Sequence, residues 1–148
     1  MWDDKKSLIL SKICVKLFMA ALVACVFLAP VIYVKWFKLD RMSEGREAYF
    51  IITLCLGYIP AVLLLVFLHS LLNRIGAGDV FINKNVACLR HISWCCFAGA
   101  VIGLASSFYW LPWFAVGVAA AFMGLIVRVI KNVVAKAVSL QDDADYTI

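Results

Sequence analysis

At 148 residues, with 66% hydrophobic and 16% charged side chains, this chain has no material left over for a water-soluble domain. Its net charge of +5 is carried in short basic segments beside long apolar runs. Membrane topology and anionic headgroups account for such a pattern, so no direct nucleic-acid binding is expected.

The start is rich in lysine, and Leu17 to Val34 then runs through eighteen uncharged residues, enough for a first spanning helix. Leu22-Val23-Ala24-Cys25 matches a bacterial lipoprotein cleavage box, in which Cys25 would be lipidated and the helix lost. The apolar run beyond Cys25 favours a retained span, with Pro30 bending its last turn. A short charged loop leads to Ala48–Leu68, twenty-one uncharged residues that form the second span. Within it Pro60 cannot donate to the carbonyl of Leu56, and Gly57 lies beside it, so a mid-membrane kink is expected.

The connection Asn73–Arg90 has the marks of a built turn. Gly76 and Gly78 are placed to end helix 2, Val80-Phe81-Ile82 is apolar enough to dip into the interface, and Asn83 is placed to cap helix 3. Ile92 to Val127 then runs for thirty-six residues without a charge, with Ser106, Ser107 and Pro112 near its middle. A straight helix of that length would reach ~54 Å against a hydrocarbon core of ~30 Å, so the run is expected to fold back as a tight hairpin of helices 3 and 4. Helix 3 carries Cys95, Gly99, Gly103 and Ser107 at every fourth position, and helix 4 offers Gly117, Ala120, Ala121 and Gly124. Small residues let helix backbones approach closely in a membrane. Packing within the chain is the first expectation, and self-association through the Gly99 and Gly103 groove the alternative.

Together these patterns predict an all-α membrane protein, one four-helix bundle over 1–148 with spans near 13–35, 48–72, 84–110 and 113–139 and an acidic cytoplasmic tail at 141–148. One side would hold Lys5, Lys6, Lys12, Lys16, Arg74, Lys84, Arg90, Arg128, Lys131 and Lys136. The other would hold only Lys35, Lys38, Arg41 and Arg46. That bias puts both termini in the cytoplasm of a multi-pass inner-membrane protein. Aromatic residues at Trp36, Phe37, Tyr49, Phe50 and Phe108 to Phe114 fall at the outer boundary, with Trp2 and Trp94 at the inner one. The six cysteines lie in spans or on the cytoplasmic side, so reduced thiols are expected.

The uncharged runs contain no Asp or Glu, which argues against a proton-coupled antiporter, and Lys16, His69 and Arg128 lie at helix ends. No Cys-x-x-Cys, nucleotide loop or nucleophile elbow is present, so no enzyme is expected. Cys88, His91 and Cys95 form one helical stripe of thiol and imidazole, but three ligands on one helix do not close a zinc site. Neither metal nor cofactor is expected.

Gly78, Phe81 and Asn85 form a Gly-x-x-Phe-x-x-x-Asn connection, and Asp142, Asp143, Asp145, Tyr146, Thr147 and Ile148 form an acidic end with a Leu-Thr-Ile-like triplet in which Tyr146 takes the leucine place. From Leu71 onward the chain resembles the small bacterial membrane proteins of domain-of-unknown-function family 2975, while its first two helices match only in hydropathy. The resemblance implies four membrane helices and no established activity. It also implies frequent genomic proximity to a small helix-turn-helix regulator of the Xre/Cro kind. The leading expectation is therefore a regulatory or accessory protein whose cytoplasmic face binds a protein partner, through Gly78, Phe81, Asn85, Arg90 and Asp142 to Ile148. The alternative is a small oligomeric channel or transporter subunit.

Overall fold

The computed structural model describes residues 4–32 and 46–147, which form four helices. Trp2, Lys35, Trp36, Phe37, Lys38, Arg41 and Ile148, which figure in the sequence expectations, lie outside the described residues. The helices are α1 (Asp4–Ile32), α2 (Arg46–Gly76), α3 (Asn83–Ser106) and α4 (Pro112–Tyr146), and each is long and apolar enough to cross a membrane.

Large aliphatic and aromatic side chains stand exposed along all four, among them Phe18 and Phe27 on α1, Ile59 on α2, Val101 on α3 and Phe122 on α4. In water such surface would be costly; in lipid it is the solvated surface. Packing therefore has to come from close fit rather than from hydrophobic exclusion.

The helices pack in chain order, α1 on α2, α2 on α3 and α3 on α4, and no other pair of backbones comes together among the described residues. This corrects the expected four-helix bundle to an open layer. The core lies along α3, which is packed on from both sides. Leu89, Ile92 and Cys96 of α3 join Leu71 of α2 in the core cluster, with Leu64, Phe67 and Leu68 against it from one neighbour and Val127 and Val134 from the other.

α2 continues as helix through Pro60, whose side chain is buried. It ends in a Schellman arrangement: Asp79 N donates to Arg74 O at 3.1 Å and Gly78 N to Ile75 O at 3.1 Å. Gly78 makes this possible with φ of +95°, a conformation that L side chains rarely adopt. Lys12 of α1 lies over the same end, since a Cβ added at Gly76 would come within 2.9 Å of its Nζ. A cation there stands at the negative end of the α2 dipole.

α3 stops at Ser106, short of the expected boundary, and residues 107–111 turn through Tyr109 N to Ser106 O at 3.3 Å and Trp110 N to Ser106 O at 3.4 Å. Pro112 opens α4 at a position where its missing N–H costs nothing. α3 and α4 then approach at Gly103 and Gly117: a Cβ at Gly103 would lie 2.9 Å from Gly117 Cα. Further along, Ser93 Oγ donates to Gly124 O at 3.1 Å.

Candidate functional site

The described beginning of α1, the α2–α3 turn and the far end of α4 share one end of the layer. Lys12 sits at Gly76, and an open cleft of about 350 Å³ is lined by Gly78, Asp79, Val80, Phe81, Ile82 and, from α4, Gln141. The turn and the acidic segment, far apart in sequence, thus meet on one surface.

Asn85 builds that turn. It is 1% exposed, and its Nδ2 donates to Asp79 O at 2.7 Å and Val80 O at 2.9 Å, carbonyls that a tight loop would otherwise leave unsatisfied. Its assignment as a partner-binding residue is therefore corrected: it has no surface to offer. Asn83 does not cap α3 either. Ile82 occupies the cap position in extended conformation with no side-chain cap bond, and Asn85 supplies the polar anchoring from inside the first turn. Arg74 of α2 braces the first turn of α3, donating Nη1 to Lys84 O at 3.4 Å. With its backbone held from beneath, the loop turns Val80 and Phe81 outward, the latter 50% exposed. Arg90 is exposed one turn further along α3.

The acidic segment is helix, not an extended tail. α4 continues through Asp142, Asp143 and Asp145 to Tyr146, and Thr147 closes it by donating Oγ1 to Asp143 O at 2.5 Å. Asp142, Asp143, Asp145 and Tyr146 are all exposed.

The Cys88, His91, Cys95 stripe is drawn apart by packing. Cys88 is buried and its Sγ donates to Phe67 O at 3.1 Å, while the His91 ring stacks on Phe67 with centroids 5.0 Å apart. His69 Nε2 meets Asn73 Nδ2 at 3.1 Å on its own helix. Among the described residues no group of three or more His, Cys, Asp or Glu converges as a metal site. All six cysteines are free thiols.

The small-residue stripe also divides. Gly103, Gly117 and Gly124 face neighbouring atoms at contact distance, but a Cβ at Gly99 would meet nothing within 4 Å. Gly99 is thus corrected as a packing residue. Ala121 is half-buried.

A hydroxyl cluster at the opposite end was not foreseen. Tyr109 Oη donates to Thr53 Oγ1 at 2.8 Å, Thr53 Oγ1 lies 2.9 Å from Ser106 Oγ, and it reaches Tyr49 O at 2.9 Å. A hydroxyl has one proton and two lone pairs, so Thr53 donating to Tyr49 O and accepting from the other two uses it completely. Around it Tyr49 stacks on Tyr109 at 6.4 Å, and Phe50, Trp110 and Trp113 make mutual contacts at 6.0 to 6.2 Å. The available signal was Thr53 itself, a buried hydroxyl in an otherwise apolar run that requires a partner.

Four apolar helices, an anchored turn and a charged helix end define an α-helical multi-pass membrane protein with one polar end built for exposure. The chain belongs to the family described as protein of unknown function (DUF2975), whose model matches residues 8–148. That match takes in the first two helices, which hydropathy alone had linked to it. No curated protein and no solved structure matches the chain.

Proposed function

We propose that the chain is a non-enzymatic regulatory or accessory protein of the bacterial inner membrane. In this reading both termini are cytoplasmic, helices 3 and 4 form a transmembrane hairpin, and the cytoplasmic end binds a protein partner. The observation that carries the reading is the shared cleft, where the exposed Val80 and Phe81 of the turn stand beside Gln141 at the start of the acidic helix end. An apolar tip at the same end as an exposed acidic helix terminus suits a partner with an apolar patch ringed by basic side chains, and a small helix-turn-helix regulator is one protein of that kind. The residues assigned to this face are Gly78 as the shaper of the turn, and Phe81, Arg90, Asp142, Asp143, Asp145, Tyr146 and Thr147 as contacts.

Crosslinking in native membranes followed by capture of the tagged chain tests the proposal. The reading requires a reproducible cytoplasmic protein that is lost on Phe81→Asp and on deletion after Leu140, with membrane accumulation unchanged in both. Capture that survives both changes refutes it.

A further inference from the structure

α4 carries a second apolar seam that none of the described residues covers. The side that packs on α3 runs through Gly117, Gly124, Val127, Val134 and Val138. About a quarter turn around the helix lies another row, spaced alternately by three and four residues: Val116, Ala119, Met123, Ile126, Ile130, Val133, Ala137, Leu140 and Ala144. All of these are exposed except the half-covered Ala137, with Val133 at 64% and Leu140 at 56%. Three–four spacing is the repeat of a coiled-coil seam.

The seam crosses two solvents. A helix of 35 residues is ~52 Å long, ~20 Å more than the hydrocarbon core, so its final turns stand in water when Pro112 and Trp113 mark the opposite boundary. In that projecting part the other exposed positions turn polar, at Asn132, Lys136, Ser139, Asp142 and Asp143, while Val133, Leu140 and Ala144 keep the row apolar. Lipid can cover Met123 but not Leu140. A soluble partner can cover Leu140 but not Met123.

We propose that the occupant is α4 of a second copy of this chain, running parallel. Such a helix has the same length, crosses in the same direction and presents the same row in both solvents. The charges permit it: in a parallel pair Lys136 of one helix comes beside Gln141 of the other, so no like charges meet across the seam. A two-fold axis along the seam places each residue opposite its own copy, Val133 against Val133 and Leu140 against Leu140. The apolar row shares no residue with the cleft at Phe81, which meets the seam only at its flanking Gln141, and the row stands whether or not that cleft binds a partner.

Single cysteines introduced by Val133→Cys, Leu140→Cys and Ser139→Cys, oxidised in native membranes, test this directly, with the wild-type chain as background for its own thiols. Substitution at these exposed sites leaves the α3 contact intact. The expected result is a disulfide-linked dimer from Val133→Cys and Leu140→Cys, and only background from Ser139→Cys and wild type. In nanodiscs, Leu140→Glu should weaken dimerisation about tenfold, by removing apolar burial and opposing like charges. Equal linkage at positions 139 and 140, a product containing a different protein, or a wild type that stays monomeric in nanodiscs at high loading overturns the proposal.

Discussion

A single carbon separates the glycines of α3 into two kinds. At Gly103 an added Cβ would lie 2.9 Å from the backbone of Gly117, and backbone cannot step aside as a side chain can. At Gly99 the same carbon enters open space. We therefore expect Gly103→Leu to lose ~1–3 kcal/mol of stability, the range for overpacking a filled interior, while Gly99→Leu stays near wild type. Thermal unfolding of both in one detergent decides it, and equal losses would mean that Gly99 also faces a helix. The turn makes a matching case. Asn85→Ala strands two loop carbonyls, at a cost of ~1–3 kcal/mol for buried groups left unpaired, whereas Phe81→Ala removes only exposed surface and should change stability little. If capture is lost in Phe81→Ala without loss of stability, contact and construction are separated within one motif.

At the scale of elements, the end with the hydroxyl cluster is latched and the end with the turn is extended. Thr53 ties α2 to the α3–α4 connection through Ser106 and Tyr109, a coupling between segments that meet nowhere in sequence. Thr53→Val leaves both partner hydroxyls without their bond and should cost ~1–3 kcal/mol, more than Tyr109→Phe, which leaves Thr53 its other two contacts. The double variant should cost less than the sum of the singles, because both remove the same bond. An additive pair in thermal unfolding would show that the hydroxyls do not act together. α4 at the other end gains its last turns from continuity rather than packing, since Asp142 to Tyr146 touch little and are exposed. Deletion after Leu140 should accordingly leave membrane accumulation unchanged; a variant that fails to accumulate would show that these turns are needed for folding.

For the whole molecule, among the described residues the backbone of α1 meets only that of α2 and the backbone of α4 only that of α3, so much of their surface is left for lipid or another chain. The proposed orientation rests on where the positive charges gather: Lys12, Arg74, Lys84, Arg90, Lys131 and Lys136 all belong to the end that carries the turn. We expect a membrane-impermeant thiol reagent to label Ser107→Cys in intact cells and Ser139→Cys only after lysis. Labelling in the reverse order would invert the topology and with it the assignment of the cytoplasmic face.

The run lengths of uncharged residues determined, without any structure, that there are four apolar helices. Pro112 and the paired serines marked where the longest run divides, because chain stiffness and hydrocarbon thickness act locally and leave their trace in local composition. Gly78 as the stop of α2 was legible for the same reason, since a helix C-terminus needs φ > 0 within a residue or two. Tertiary structure alone decided which small residues are contacts, as Gly99 and Gly103 are alike in composition and differ only in which neighbour stands opposite. It alone turned Asn85 from a surface contact into the anchor of a loop, joined Thr53 to Tyr109, and opened the expected bundle into a layer. Each of these depends on the rotation of one helix about its axis relative to the next, and in lipid, where every face can be apolar, residue type does not record that angle.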